Sequence, residues 1–172
     1  MYKQNSSSLA SNSSLTGYYE FFLKALGKSS ALVVISFGIF GALRNSSICY
    51  YVCSGSFTTQ ITTMFLKFYF KAPRPKDSIK TGFGLPSSHS AHAAFMCVFL
   101  APLLLAEGIY RNYFPLILLF GWSFGVSYSR YYFKAHSFYQ IFIGIAVGFI
   151  FGIVYNLLYL IDKATTSSIL IE

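Results

Sequence analysis

The stretch GLPSSHSAH, residues 84–92, separates a polar loop from a long apolar run. It packs a proline, three serines and two of the three histidines of the chain into nine residues. The apolar run AAFMCVFLAPLLLA, residues 93–106, begins immediately afterwards. Because proline and serine favour helix starts, this stretch predicts a helix that begins at a polar, titratable surface and continues into an apolar environment.

Composition places the chain among integral membrane proteins. Of its 172 residues, 55% are hydrophobic and 10% are charged, and the mean hydropathy is +0.55. Soluble domains carry about 25% charged residues. The net charge of +8 fits anionic headgroups, an anionic substrate or the cytoplasmic bias of basic loops. The basic residues do not form a soluble, aromatic-interleaved face, so no nucleic-acid partner is expected.

Five apolar segments predict an all-α, integral membrane bundle of about five transmembrane helices. The segments cover roughly residues 21–43, 48–70, 87–107, 113–128 and 138–160. A single membrane domain is expected over residues 17–165. It is preceded by a polar, disordered N-terminal tail at residues 1–16 and followed by a C-terminal tail at residues 166–172.

Counting the segments places two polar loops on one side of the membrane. The loop KAPRPKDSIKTGFGLP, residues 71–86, follows the second segment, and SRYYFKAHS, residues 129–137, follows the fourth. The N-terminus shares this side, and the C-terminus lies opposite. Because both loops are cationic and face the same side, we expect them to form a single pocket.

The first loop is introduced by a pair of cations. Lys67 and Arg74 are seven residues apart, which is two helical turns, so both are expected on nearly the same face. Pro73 and Pro75 bracket Arg74 and end the helix. A lysine point charge and the planar arginine fork together suit phosphate. The alternative is that both cations simply extend to the membrane interface.

The opening stretch offers an anion site and a proton carrier. Ser87 or Ser88 can cap the helix after Pro86 and leave free backbone N–H groups around His89. An ordinary histidine pKa of about 6.5 suits His89 to donate or accept a proton. The alternative is a capping serine cluster with a structural histidine. His92, three residues later, is interpreted as a helix-packing hydrogen-bond group.

The second loop supplies a further cation and a second histidine. Arg130 offers another phosphate fork, and His136 is expected to open the fifth helix. A neutral imidazole can attack phosphorus if its other nitrogen donates a hydrogen bond. Gln140, four residues beyond His136, would lie on the same helical face and orient the ring through its amide oxygen. The alternative is a helix-end histidine packed among tyrosines.

Two histidines and three phosphate-binding cations on one membrane face are the parts needed for phosphoryl transfer through a histidine intermediate. The sequence does not favour a metal or another cofactor. Of the five carboxylates only Asp77 lies in a motif loop, whereas magnesium sites usually need carboxylates. Cys49, Cys53 and Cys97 lie in apolar segments and suit neither a disulfide framework nor a metal site.

These motifs resemble the type 2 phosphatidic acid phosphatase (PAP2) superfamily, whose blocks read K-x6-R-P, P-S-G-H and S-R-x5-H. The chain matches them as Lys67-x6-Arg74-Pro75, Pro86-Ser87-Ser88-His89 and Ser129-Arg130-x5-His136. The resemblance implies a PAP2/haloperoxidase-like core of five or six helices. It also implies that His136 is the nucleophile and His89 the general acid, with the phosphate held by Lys67, Arg74, Arg130, Ser87 and Ser88.

Two departures from the family pattern narrow the resemblance. Ser88 stands where the family usually has glycine, and Gln140 replaces the acid that usually follows the nucleophile. An amide orients the ring without stabilising imidazolium charge. Both Gln140 and the run GFGLPSSHS, residues 82–90, are similar to the dolichyl diphosphatase branch. That similarity implies hydrolysis of dolichyl diphosphate in the endoplasmic reticulum membrane, which recycles the lipid carrier for N-glycosylation.

Sidedness and substrate leave alternatives open. Ten of the 13 Lys and Arg residues lie on or near the membrane side that carries the two polar loops, which predicts that the site faces the cytoplasm. The resemblance instead implies a lumenal site. Substrate demands can override a charge bias, so a multi-pass protein with a lumenal active site is expected. The alternative functions are a phosphatase for phosphatidic acid or a shorter polyprenyl diphosphate, and a non-catalytic protein that binds lipid phosphate. The sequence does not indicate an oligomeric state.

Overall fold

A computed structural model describes residues 6–78, 80–106 and 113–169, and it contains five α-helices over these ranges. The helices are α1 (Ser6–Arg44), α2 (Ser47–Phe70), α3 (Ser88–Ala106), α4 (Phe114–Tyr132) and α5 (Phe138–Ile169). No strand occurs in the described part of the chain. The predicted all-α bundle is confirmed.

Length and composition mark three of the described helices as able to cross a membrane. They are the segment Thr16–Arg44 of α1, the whole of α3 and the whole of α5. Helix α2 carries Lys67 and many Ser and Thr residues, which lower its hydropathy. Large apolar side chains point outward around the bundle, including Ile39 and Phe57, whose surfaces are 59% and 67% exposed. Such an outer surface suits lipid rather than water.

A row of glycines brings α3 and α5 into close contact. A Cβ atom at Gly144 would overlap the Ser87 backbone, and one at Gly148 would overlap the Ala91 carbonyl. Gly152, four residues further on, faces Val98 and Phe95 in the same way. Small residues at every fourth position allow helix backbones to approach in a membrane, where lipid supplies no hydrophobic drive for association. Because α3 carries His89, this contact fixes where that histidine lies.

The core lies between α2, α3 and α5. Phe95 and Phe99 are fully buried and stack with ring centroids 5.8 Å apart, and Tyr155 and Tyr159 of α5 meet them edge to face. His92 is buried beside this core and forms a hydrogen bond of 3.1 Å from its Nε2 to the hydroxyl of Ser56 in α2. The prediction that His92 is a helix-packing group is confirmed.

Several helix ends differ from the sequence expectation. Helix α1 begins at Ser6, so residues 6–16 are helical rather than disordered, and α5 continues to Ile169 through the first part of the expected C-terminal tail. Neither stretch contains proline, and only Gly17 interrupts the start of α1. Helix α4 runs to Tyr132, so Arg130 lies in its last turn rather than in a loop. Residues 1–5 and 170–172 of the expected tails lie outside the described ranges.

Candidate active site

The two cationic loops meet at one end of the bundle, as predicted. Lys134 of the second loop forms an ion pair of 2.7 Å with Asp77 of the first. The Gln140 amide donates to the Pro73 carbonyl oxygen at 2.7 Å, and the Ser87 amide donates to the Gln140 carbonyl oxygen at 2.9 Å. These bonds join the two loops and the starts of α3 and α5 at the end that carries the predicted site residues.

His136 is held between the two loops with a defined tautomer. Its Nδ1 lies 2.8 Å from the Gly84 carbonyl oxygen, and its Nε2 lies 3.1 Å from Nη1 of Arg74. A carbonyl oxygen only accepts and a guanidinium only donates, so Nδ1 carries the proton and Nε2 carries the lone pair. The ring is 3% exposed. His136 therefore presents an unprotonated Nε2 to a cation, as a nucleophile for phosphorus requires.

The environment of His136 keeps the ring neutral. Burial, reinforced by the positive charge of Arg74, lowers the pKa of His136 to about 3. Lys67 and Arg130 add to this positive field, whereas the hydrogen bond to Gly84 opposes it. All three predicted cations, Lys67, Arg74 and Arg130, thus contribute positive charge around this ring, and Arg74 contacts it directly. A ring with this pKa is unprotonated at neutral pH and available for attack.

The structural cause of the position of Arg74 differs from the one predicted. Helix α2 ends at Phe70, and Lys71 adopts a left-handed conformation with φ of 48° as its cap. Arg74 thus lies in the loop, and the two-turn spacing from Lys67 does not set its direction. The guanidinium donates to the Ala135 carbonyl oxygen at 2.6 Å and to the Thr81 carbonyl oxygen at 3.3 Å. Loop contacts, not a shared helix face, place Arg74 beside His136.

Arg130 anchors the second loop through its backbone and faces the site through its side chain. Its carbonyl oxygen accepts hydrogen bonds from the amides of Ala135 and His136, at 3.0 and 3.3 Å. This tight turn, with Lys134 in the left-handed region at φ of 50°, explains why five residues separate Arg130 from His136. The guanidinium packs over Gly27 of α1, where a Cβ atom would overlap it. The burial of the Arg130 side chain and its packing over Gly27 hold the guanidinium N–H donors in place.

His89 and Arg130 line one cavity of about 530 Å³, together with Ala135 of the second loop. His89 also lines a second cavity of about 600 Å³, which lies between α1, α2 and α3 and has a mainly apolar lining surface, to which Val34, Ile35 and Phe57 contribute. The histidine thus stands where a cationic space meets an apolar one. A boundary of this kind can accommodate an anionic group joined to an apolar chain.

The two serines of the opening stretch differ in their availability. Ser88 lines the apolar cavity beside His89, and its hydroxyl accepts a hydrogen bond of 3.0 Å from Thr63 of α2. Ser87 is fully buried, and its hydroxyl pairs with Ser90 at 3.0 Å. Its amide is committed to Gln140. Ser88 therefore lies beside His89, whereas the hydroxyl and the amide of Ser87 are engaged with Ser90 and Gln140.

The predicted hydrogen bond between Gln140 and the His136 ring does not form. His136 precedes α5, which begins at Phe138, so the helical spacing of four residues does not apply to the pair. The amide oxygen of Gln140 instead accepts from the Ser137 amide at 3.2 Å, while its nitrogen binds Pro73. Gln140 also packs closely against Gly84, whose carbonyl oxygen holds the ring. Any influence of Gln140 on the ring passes through these loop contacts.

Sequence reasoning assigned no role to three lysines near the site. Lys24, Lys28 and Lys80 line the cationic cavity with His89 and Arg130. The pKa of Lys80 is lowered by partial burial and by the neighbouring charges of Arg130 and Arg74. The i, i+4 spacing of Lys24 and Lys28 put them on one face of α1, which was a usable signal. Nothing in the sequence indicated that this face turns toward Arg130.

The fold and the site define a helical membrane protein with two histidines among cationic side chains at one end of the bundle, each histidine lining its own cavity. The sequence matches the profile of the PAP2 superfamily over residues 46–162, more than half of the chain. The chain therefore belongs to the PAP2 superfamily, a family of membrane lipid phosphatases. The matched range includes Lys67, Arg74, His89, Arg130 and His136.

Comparison with solved structures agrees with this assignment. The chain is similar to the crystal structure of a transmembrane PAP2 type phosphatidylglycerolphosphate phosphatase from Bacillus subtilis, with a TM-score of 0.70 and 19% sequence identity. The similarity covers 84% of this chain and 76% of that chain, and it shows a shared fold. Comparison with curated proteins gave no significant match.

Proposed function

We propose that the protein hydrolyses dolichyl diphosphate to dolichyl phosphate and inorganic phosphate through a phosphohistidine intermediate on His136. The observation that carries the proposal is the tautomer of His136, whose Nδ1–H is bound to Gly84 and whose Nε2 lone pair faces Arg74. Pure phosphate binding needs cations but no oriented, unprotonated imidazole. Both the fixed ring and the second histidine therefore favour catalysis over binding alone.

In the first step, Nε2 of His136 attacks the terminal phosphorus and the bond from phosphorus to the bridging oxygen breaks. His89 gives its proton to that oxygen, and dolichyl phosphate leaves. Lys67, Arg74 and Arg130 stabilise the charge on the transferred phosphoryl group, helped by Ser88 and, once its pairing with Ser90 is exchanged, by Ser87. The cations supply charge stabilisation directly, so we expect turnover to survive EDTA.

In the second step, His89 takes a proton from water as the water oxygen attacks the phosphorus of phosphohistidine. The bond between phosphorus and Nε2 breaks, and inorganic phosphate is released with His136 neutral again. The hydrogen bond from Nδ1 to Gly84 is maintained throughout, because only Nε2 reacts. The protein thus returns to its starting protonation state after one cycle.

The choice of a dolichyl substrate rests on Gln140 and on residues 82–90, which are similar to the dolichyl diphosphatase branch. The proposed location is the endoplasmic reticulum membrane with the site facing the lumen, where recycling of the carrier supports N-glycosylation. Glycan attachment at Asn5 or Asn12 is expected, and attachment at Asn45 alone would place the site on the cytoplasmic side. The structure similar to this chain belongs to a phosphatidylglycerolphosphate phosphatase, so a glycerolipid phosphate is the alternative substrate.

The test compares phosphate release from dolichyl diphosphate, dolichyl phosphate, phosphatidic acid and phosphatidylglycerolphosphate. The full chain is assayed in mixed micelles, with and without EDTA, beside His136→Ala and the control Lys76→Gln, an exposed residue of the first loop. We expect the diphosphate to be the best substrate and His136→Ala to be inactive. A glycerolipid as the best substrate would contradict the dolichyl assignment, and equal rates in wild type and His136→Ala would exclude the histidine mechanism.

A further inference from the structure

The cationic cavity extends beyond the groups that the proposed chemistry uses. Besides His89 and Arg130, it is lined by Lys24 and Lys28 of α1 and by Lys80 of the first loop. No carboxylate is among the described residues that line it. Its volume of about 530 Å³ leaves room for more than one phosphate group. None of the three lysines belongs to the motif blocks.

Two of these lysines, Lys28 and Lys80, form no ion pair with a carboxylate of the described residues. Lys24 lies 3.7 Å from Glu20 in the preceding turn, and its ammonium group is 5.7 Å from the centre of the Phe133 ring. The other ion pair found over the described ranges joins Lys134 to Asp77. Lys28 and Lys80 thus add positive charge next to the buried Arg130 guanidinium. Like charges gathered in this way repel one another, and an anion between them offsets the repulsion.

The position of this cavity relative to the two histidines identifies which anion it suits. His136 lines a different cavity, of about 430 Å³, beside Lys134 and Ser137, and Arg74 covers its reactive nitrogen. His89 lies on the side of the three lysines and also borders the apolar cavity. The group that His89 protonates is the leaving group, so the leaving group lies on the lysine side.

We propose that the cationic cavity, through Lys28 and Lys80, binds the leaving phosphate of a lipid diphosphate. This binding would make the protein prefer lipid diphosphates to lipid monophosphates as substrates. This inference rests on the proposed function. With a diphosphate, breaking the bond between the terminal phosphorus and the bridging oxygen leaves a lipid phosphate, whose developing negative charge the lysines stabilise. With a monophosphate, the same step leaves a lipid alcohol, which has no phosphate to place between the lysines. The apolar cavity that begins at His89 receives the attached chain.

The first test measures substrate preference in the Lys28→Gln/Lys80→Gln double variant of the full chain. The ratio of kcat/KM for dolichyl diphosphate to that for dolichyl phosphate is expected to fall at least ~10-fold relative to wild type. Lys76→Gln, which removes an exposed charge from the same loop outside the cavity, should keep the wild-type ratio. An unchanged ratio in the double variant, with wild type active, would overturn the inference. Absence of activity in wild type toward every lipid would instead contradict the proposed function.

A second measurement does not depend on turnover. Thermal unfolding of the purified chain is followed with methylenediphosphonate or with inorganic phosphate at equal concentrations. The diphosphonate should raise the unfolding midpoint of wild type more than phosphate does, since it can occupy both phosphate positions. The double variant should lose this difference, and Lys76→Gln should retain it. Equal shifts by the two anions in wild type would contradict a second phosphate site.

Discussion

The Arg74 guanidinium donates from Nη1 to Nε2 of His136 at 3.1 Å and to the carbonyl oxygen of Ala135 at 2.6 Å. The first loop therefore covers Nε2 of His136, the nitrogen that we propose as the nucleophile. A phosphoryl group that enters between them would exchange the contact to Nε2 for a charge-assisted bond to Arg74. In the proposed mechanism, Arg74 is thus oriented before the substrate arrives and sits where negative charge develops.

Replacing Arg74 by lysine tests whether this orientation matters beyond charge. A lysine keeps one positive charge but cannot donate at the same time to Ala135, Thr81 and His136 from a rigid fork. We expect Arg74→Lys to lower kcat/KM by at least ~100-fold, which corresponds to about 2.7 kcal/mol of transition-state stabilisation. Steady-state phosphate release measures this. Activity within a factor of about three of wild type would show that charge alone suffices.

Gly27→Ala tests how α1 supports the site. A methyl group at Gly27 would overlap the Arg130 guanidinium and force it away from the cavity, so activity should fall at least ~10-fold. Gly17→Ala is the matched control in the same helix, because nothing apart from its chain neighbours and the adjacent helix backbone lies within 4 Å of its added methyl group. Since alanine favours helix over glycine by about 1 kcal/mol, Gly17→Ala should be as stable as wild type or more so. Equal activities of the two variants would refute the role given to Gly27.

Gln140→Leu tests whether Gln140 joins the loops. The substitution leaves the Pro73 carbonyl and the Ser137 amide without their side-chain partner, which costs about 1–3 kcal/mol for each group that stays buried. We expect the thermal midpoint to fall by several degrees and kcat to fall with it, as measured by differential scanning fluorimetry and phosphate release. Gln140→Glu keeps the acceptor for Ser137 but places a carboxylate against the Pro73 carbonyl. It should therefore not restore the thermal midpoint or the kcat that Gln140→Leu loses. Higher activity in Gln140→Glu than in wild type would indicate direct action on the ring.

The pH dependence of stability tests the neutral state of His136. Burial and Arg74 lower its folded-state pKa to about 3, whereas a histidine in the unfolded chain has a pKa of about 6.5. Between these values the unfolded state binds the proton that the folded state does not. The stability from neutral His136 is therefore complete above about pH 6.5 and is lost as the pH falls toward about 3.

We therefore expect the unfolding midpoint of wild type to drop more than that of His136→Asn between about pH 7.5 and about pH 5. Asparagine is the suitable comparison, because its amide can still donate to Gly84 but does not titrate. The difference between the two proteins isolates His136 from the other histidines. Parallel pH profiles would contradict the low pKa of His136.

The sequence predicted what depends on spacing along regular helices and on charge. The apolar segments located the five helices of the described ranges, and their count placed the two cationic loops at one end. It did not predict the partner of His136, because a backbone carbonyl 52 residues away leaves no trace in residue type. The sequence predicted the wrong hydrogen-bond partner for Gln140 and the wrong structural cause for the position of Arg74. Both arguments extended a helix past its actual end. Tertiary packing of α1 against Arg130 likewise could not be derived from α1 alone.

The most direct test of the central claim is to trap the phosphohistidine. The label is placed in the terminal phosphate of dolichyl diphosphate, which is mixed rapidly with wild type, His136→Ala or His89→Ala. Each reaction is quenched in alkali and analysed for protein-bound label, because phosphohistidine survives base and is lost in acid. We expect transient, acid-labile label on wild type at His136 and none on His136→Ala. Phosphate release by wild type with no labelled enzyme, or label that persists in His136→Ala, would contradict the mechanism.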